Sequence, residues 1–421
     1  MTFDEISSSF ESCMGAAGFG RALAAVSGGS DSLALLLSFG EWSKKRGVYV
    51  EAITVDHGLR PSSSDEAEYV RGLCEKIGIK HTTVKWVGDK PTSNIESTAR
   101  EARYSLIGEY YRKNNFDCLL TAHHLNDQAE TFFLRLFRGS GIDGLACMGR
   151  NSFLGGMNVI RPFLNIPKDA LRKYLEEKKI KWIEDESNND EKFLRNRIRA
   201  FLNSLPDRDK IAERINFATE EIAKAKRFIV EEFEKHRKNI LNFSSFGSCA
   251  FSYAKLAQID GDMSLRLLAH AAMKISGNAY KPRLEKLKNL LENIKKLSPA
   301  DNFKTTFYGC VFEKFEENLI MVYREYNSIG EDKKLIFGEK ILWDGRFSVE
   351  LLANRDDISI THLENGKFTE LLRRVKEIDP KKYRELREIR GIQKNIFYTL
   401  PLAMDGEKKY LIGSGDVSIT F

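Results

Sequence analysis

Between the apolar runs Leu23-Ala24-Ala25-Val26 and Leu33-Ala34-Leu35-Leu36-Leu37 stands the polar hexapeptide Ser27-Gly28-Gly29-Ser30-Asp31-Ser32. A buried strand that turns through two glycines into a helix aims free backbone N–H groups and the positive end of the helix dipole at one small volume. The hydroxyls of Ser27, Ser30 and Ser32 are expected to point there too. Such a volume suits a phosphate. No Gly-Lys-Ser/Thr closes the loop, so it is not a Walker loop. Asp31 instead places a carboxylate beside the phosphates, which implies a bridging Mg²⁺. The competing reading is an ordinary strand-to-helix turn rich in Ser and Gly.

The rest of the chain narrows the class. At 421 residues, with 42% hydrophobic and 30% charged residues, it is long enough for two or three cores. The start, Met1-Thr2-Phe3-Asp4-Glu5, is acidic where a signal peptide is basic, and no apolar stretch approaches the roughly 20 residues that span a bilayer, so a cytoplasmic protein with no membrane partner is expected. Cys13, Cys74, Cys118, Cys147, Cys249 and Cys310 stand singly, without a Cys-x-x-Cys pair, which argues against a zinc ribbon, an iron–sulfur cluster or a disulfide framework and for packing roles. A formal charge of +6 permits a nucleic-acid partner without requiring one.

From residue 21 to about 163, short apolar runs alternate with amphipathic segments. Ala22–Val26, Val48–Val55, His81–Val87, Cys118–Ala122 and Val159–Phe163 read as strands. Repeated strand–helix–strand order predicts an α/β fold: a parallel sheet with helices on both faces and ligands beyond the C-terminal strand ends. The phosphate loop, Asp56-His57-Gly58 and His123-His124 all fall on that rim. Phe217–Leu241 alternates apolar and charged residues at helical spacing, predicting a long, partly exposed helix. Lys274–Lys296 carries Lys274, Lys281, Arg283, Lys286, Lys288, Lys295 and Lys296 against Glu285 and Glu292, which suits a phosphate backbone or a solvated helix face. Glu325–Lys334 reads as a linker, followed by strand-rich Lys340–Leu351 and Lys408–Phe421 around a helical middle. The expected domains are 1–214 (carrying the phosphate loop and the rim motifs), 215–328 (mainly helical, with the basic stretch) and 329–421 (small α+β).

The sharpest rim motif is Ala122-His123-His124-Leu125-Asn126-Asp127-Gln128-Ala129-Glu130-Thr131. If Asn126 opens a helix, Asp127 and Glu130 share one face while His123 sits on the preceding turn. His, Asp and Glu are zinc ligands, yet beside a phosphate loop Asp127 is better used as the second Mg²⁺ ligand, or as the anion that receives an amino group with Glu130 alongside. Asp56 and His57 either contact the nucleotide or form an ordinary turn. Arg100 and Arg103 are spaced to share a helical face, suited either to phosphates of ATP or RNA or to a surface salt bridge between Glu96 and Arg100.

Ser27-Gly28-Gly29-Ser30-Asp31-Ser32 resembles the loop of the pyrophosphatase-loop (PP-loop) ATPases. Asp56-His57-Gly58-Leu59-Arg60, Ala122 to Thr131, Arg138-Gly139-Ser140-Gly141 and Trp182-Ile183-Glu184-Asp185-Glu186-Ser187-Asn188, leading to Arg195-Asn196-Arg197-Ile198-Arg199, are similar to the tRNA(Ile)-lysidine synthetase family over residues 21 to about 200. The resemblance implies a ligase acting on the first anticodon cytidine of tRNA(Ile) with a CAU anticodon. ATP adenylates the base at C2 with loss of pyrophosphate, and the ε-amino group of free L-lysine then displaces AMP. On this reading Ser27 to Ser32, with Asp56, His57 and Arg100, bind ATP. Asp31 and Asp127 hold Mg²⁺, and Asp31, His123, Asp127 and Glu130 do the chemistry. Arg103, Arg195, Arg197 and Arg199 contact tRNA or phosphate, and a homodimer is compatible with all of it. A tRNA-thiolating enzyme with the same loop would need a cysteine pair or an iron–sulfur cluster. A tRNA-binding protein with a vestigial site would bind tRNA without releasing pyrophosphate, and a small-molecule amidating ligase would have no use for the basic second block.

Overall fold

The computed structural model describes residues 3–14, 19–58, 63–88, 95–184, 194–355, 357–363, 394–404 and 417–420, with 369, 373 and 376. Leu59, Arg60, residues 185–188 of the acidic motif and 408–416 lie outside the described residues, as does the Glu96 side chain. The chain forms two compact units, Met1–Phe228 and Ile229–Phe421.

In the first unit the order is α1 (Phe3–Met14), β1 (Arg21–Ala25), α2 (Ser30–Arg46), β2 (Tyr49–Asp56), α3 (Ser63–Ile77), β3 (Lys80–Lys85), α4 (Ile95–Lys113), β4 (Cys118–Leu120), α5 (Leu125–Phe137), α6 (Ile142–Leu145), β5 (Asn151–Leu154), β6 (Met157–Ile160), α7 (Lys168–Glu177) and α8 (Leu194–Ser204), followed by α9 (Arg208–Ile240), which runs on into the second unit. The strands form one sheet in the order β3-β2-β1-β4-β6-β5, parallel except for the edge pair β5–β6. Alternate residues of β1 enter different cores. Ala22 and Ala24 pack with Leu33, Leu36 and Phe39 of α2, whereas Leu23 packs with Ile107 and Tyr111 of α4. A strand covered on both faces must be apolar at every position, which is why it reads as a continuous run rather than an alternation.

The expected PP-loop-type α/β architecture is therefore present, with differences at the edges. The last strand pair is a hairpin whose turn, Gly155-Gly156, has φ +56° and +79°. Two left-handed residues match the twist of a two-residue hairpin, and glycine adopts them without Cβ strain. The expected strand Val159–Phe163 stops at Ile160, and Pro162, with no N–H to donate, ends the ladder. Cys118–Ala122 shortens to Cys118–Leu120 because the following residues turn into the rim.

The expected long helix appears as α9, beginning nine residues earlier than Phe217. In the second unit β7 (Asn242–Phe243), β8 (Ser248–Ser252), α10 (Tyr253–Ala257), α11 (Gly261–Ser276), α12 (Leu284–Lys295), β9 (Lys304–Phe307), β10 (Cys310–Glu316) and β11 (Leu319–Arg324) surround one apolar core. Two three-stranded sheets follow: β12 (Lys333–Lys334), β15 (Ser359–His362) and β16 (Pro401–Met404), and β13 (Lys340–Trp343), β14 (Phe347–Leu351) and β17 (Val417–Thr420). The expected linker Glu325–Lys334 is ordered instead, as a 3₁₀ turn at Tyr326–Ser328 and strand β12 pairing with β15. Five of the six cysteines are buried and all are free, in keeping with packing roles.

Candidate active site

The phosphate loop is built by its glycines. Gly28 has φ +88°, a conformation that strains any side chain, and a Cβ there would lie 2.8 Å from Ile183 Cδ1. The backbone N–H of Ile183 donates to Gly28 O at 3.0 Å, so the segment before the acidic motif backs the loop. Helix α2 starts at Ser30 without a side-chain cap, which leaves its first N–H groups for a ligand. The three serines divide the work rather than all pointing at one anion. Ser32 Oγ donates to Gly29 O at 3.0 Å and accepts from Ser27 N–H at 3.1 Å, so this hydroxyl holds the loop's shape. Ser30 Oγ donates to Asp31 Oδ1 at 3.1 Å.

His124 joins the loop to the acidic helix. It is the N-cap of α5: Asp127 N–H donates to His124 Nδ1 at 3.2 Å, and His124 N–H donates to Asp127 Oδ2 at 3.1 Å, a reciprocal capping box. A lone pair is needed at Nδ1, which assigns the proton of the neutral ring to Nε2. Nε2 lies 3.5 Å from both Asp31 Oδ2 and Asp127 Oδ2. Burial opposes charge on this ring, but Asp127 and Asp31 outweigh it and hold its pKa above the ordinary value. Lys168, at the start of α7, brings Nζ to 3.7 Å from Asp31 Oδ2, and its backbone N–H donates to Asn126 Oδ1 at 2.9 Å. Burial raises the Asp31 carboxyl, but the His124 contact and charge, with Lys168, overcome it and leave the group below the usual range. Burial likewise acts on Asp127, where His124 and Arg195 prevail and keep it ionised.

Glu130 is placed differently from a free acceptor. It is 3% exposed and receives Arg195 Nε at 2.8 Å and Arg199 Nε at 2.8 Å, while Arg195 Nη2 also reaches Asp127 Oδ1 at 2.9 Å. Thus α8 is clamped onto α5 by charge-assisted bonds, and Arg195 and Arg199 face carboxylates. Arg197, on the same helix, is exposed. Asp56 accepts from Gly58 N–H, Ser63 Oγ and Ser64 Oγ at 3.0, 2.7 and 3.1 Å, tying the end of β2 to the start of α3. Arg103 Nε donates to His57 Nε2 at 3.3 Å, and Arg100 stacks over Tyr104 at 5.2 Å. The sequence places His124 on the rim without giving it a role, and gives Lys168 no place at the site. A histidine directly before a helix with Asp at its third position is the capping signal that identifies the first; a lysine opening a helix carries none.

His123 hydrogen-bonds through Nδ1 to Thr121 Oγ1 at 2.9 Å. Burial, reinforced by Arg161, Arg100 and Arg195 and partly offset by Asp127, pushes its pKa down to about 4 from 6.5. The unfolded chain therefore binds a proton between those values that the folded chain does not, so this group's stability contribution is full above pH 6.5 and is lost as pH falls toward 4. The melting temperature of wild type should fall more steeply from pH 7 to pH 5 than that of His123→Gln. Equal slopes would show that His123 is not held neutral.

The arrangement offers an anion cradle, one accessible carboxylate at its mouth, a second carboxylate across a histidine, and a lysine opposite. Among the described residues no group of three or more His, Cys, Asp or Glu could hold a metal unaided. Hard carboxylate oxygens at Asp31 and Asp127 still fit Mg²⁺, which usually takes one or two carboxylates and completes its shell with phosphate and water.

The chain is similar to proteins already known. Residues 4–205 match the family model described as a PP-loop domain. A tRNA(Ile)-lysidine synthase of Wolbachia pipientis wMel is 36% identical over 79% of this chain and 77% of its own length. That of Rickettsia prowazekii (strain Madrid E) is 30% identical over 97% and 92%.

Proposed function

The chain belongs to the tRNA(Ile)-lysidine synthase family, and from that premise we propose that it converts the first anticodon cytidine of CAU-anticodon tRNA(Ile) to lysidine at the site formed by Asp31, His124 and Asp127. It is an ATP-dependent ligase. The observation that carries the placement is the single imidazole edge of His124, which faces a carboxylate from the phosphate loop and one from α5.

ATP phosphates sit at Ser27 to Ser32, on the uncapped start of α2 with Lys168 opposite. Asp31 and Asp127 would hold Mg²⁺, which when bound neutralises phosphate charge during adenylation. Attack by the base on the α-phosphorus releases pyrophosphate. The lysine amine then forms the bond to C2 as AMP leaves, and the proton it sheds passes to an acidic group or to water. Asp31 and Asp127 attract the incoming ammonium, while Glu130, neutralised by Arg195 and Arg199, orients Asp127 through Arg195. His123, neutral at physiological pH, sits beside the base as a polar neighbour. Asp56 supports the nucleotide side by fixing the start of α3. His57 and Arg100 serve the nucleotide, Arg197 and Arg103 contact RNA phosphates, and so do the exposed lysines of α12, whose opposite face is buried through Leu287, Leu290, Leu291 and Ile294. The three blocks 1–214, 215–328 and 329–421 divide catalysis from tRNA grip. No helix among the described residues is long and apolar enough to cross a membrane, in keeping with a cytoplasmic enzyme, and a homodimer remains part of this reading.

The deciding experiment follows labelled lysine into a CAU-anticodon tRNA(Ile) transcript, with and without ATP and Mg²⁺, against methionine tRNA. ATP-dependent, alkali-stable label in the isoleucine transcript alone is expected. Pyrophosphate release without label would keep the adenylation and remove lysine as the nucleophile.

A further inference from the structure

Arg161 is 5% exposed. It directly follows β6, whose Ile160 carbonyl accepts Thr121 N–H at 3.0 Å, so it sits next to the Thr121–His123 pair on the rim. In the sheet order β6 lies on the far side of β4 from β1. Arg161 is therefore on the opposite flank of the site from the phosphate loop. Its Nη1 donates to Gly149 O and Ser152 Oγ, both at 2.8 Å. Both acceptors are neutral. Nε is buried without an acceptor, and among the described residues no carboxylate comes within ion-pair distance of the guanidinium. The charged side chain acting on it is a second guanidinium, Arg100, a like charge.

A buried guanidinium with no counter-charge is costly, and a fixed one is retained where an anion arrives to balance it. Two features select among anions. The depth of the side chain favours a small molecule over a polynucleotide backbone, whose phosphates meet exposed cations. The Nε–Nη2 edge, which carries no bond among the described residues, is the edge that takes a carboxylate through two parallel N–H bonds. Resting on the lysidine reading above, we infer that Arg161 holds the α-carboxylate of free lysine and so sets the enzyme's preference for an amino acid over a plain diamine. The amine end then extends across the front of β4 toward Asp127 and Asp31.

The test compares lysine with 1,5-diaminopentane, which has the same amine and chain but no carboxylate, in wild type, Arg161→Ala and Arg161→Lys. Wild type should prefer lysine by about 100-fold in kcat/KM, since a buried donor left unpaired rejects the truncated analogue strongly. Arg161→Ala should bring lysine down to the level of the diamine, chiefly through KM for lysine, with Arg161→Lys between the two. Wild type using both amines equally overturns the inference without any variant. A parallel loss of both amines in Arg161→Ala overturns it in favour of a structural role, and weakened tRNA affinity instead of lysine KM overturns it in favour of an RNA phosphate. If wild type releases no pyrophosphate from ATP with the CAU transcript, the lysidine reading itself falls; pyrophosphate release with an unchanged amine preference sinks the Arg161 assignment alone.

Discussion

Asp127→Asn is expected to lower lysidine formation by about three orders of magnitude while moving the melting temperature by only a few degrees. Asp127 performs two separable tasks. Its Oδ2 accepts the His124 N–H that begins α5, and its charge faces His124 Nε2 and Arg195. Asparagine keeps an acceptor oxygen for the cap but removes the charge. Arg195 is not stranded, because Nε remains on Glu130. Asp127→Ala removes cap and charge together, and should lose about 1 kcal/mol of stability in addition to activity. Measuring both variants by lysine transfer, tRNA binding and thermal unfolding separates the roles. If Asp127→Asn stays within tenfold of wild type, the carboxylate charge is not part of the chemistry. If it also loses tRNA binding, the residue belongs to RNA recognition.

The same residue shows what the sequence could and could not convey. The phosphate loop was readable because an apolar strand, two glycines and an apolar helix are local and consecutive. The rim location of Asp56, His123 and Asp127 followed from strand order. What was not readable is how charges pair across sequence distance. Arg195 and Arg199 look like RNA-binding residues on a basic helix, and nothing near them signals that α8 lies against α5, 65 and 69 residues away from Glu130. The same helical spacing that puts Asp127 and Glu130 on one face puts Arg195 and Arg199 on another, and only packing decides that the two faces meet. Asp56 shows the converse: its hydrogen bond to Gly58 is the local turn that Asp-His-Gly allows, while Ser63 and Ser64 add bonds from the start of α3 that the turn reading does not include. The β5–β6 hairpin was missed although Gly155-Gly156 is a strong turn signal, because the flanking strands are only four residues each.

In the second unit Asp344→Asn is expected to destabilise the fold by about 3–5 kcal/mol, the usual cost of removing one partner from a buried ion pair. Asp344 stands in the β13–β14 turn and is almost fully buried. One carboxylate accepts Arg324 Nε and Nη2 at 3.1 and 2.9 Å, Arg346 Nε at 2.7 Å and Gly330 N–H at 2.9 Å. Two guanidinium groups thus share one anion, and burial pushes Arg346 down to about 10. The network fastens the end of β11 to the turn between β13 and β14. At the same place Gly277 and Gly345 approach so closely that a Cβ on Gly277 would lie 2.3 Å from Asp344 O. Asparagine is the informative substitution because Asp344 has φ +49°, a left-handed conformation that Asn tolerates and alanine does not. The backbone is therefore spared, and what changes is charge, with an amide N–H₂ now set against arginine donors. Urea unfolding of wild type, Asp344→Asn and Asp344→Asn with Arg346→Met measures it. The double variant should recover part of the loss, since it removes one of the two stranded cations; a double variant less stable than the single one would show that Arg346 contributes by packing and its bond to Thr399 O rather than by its charge.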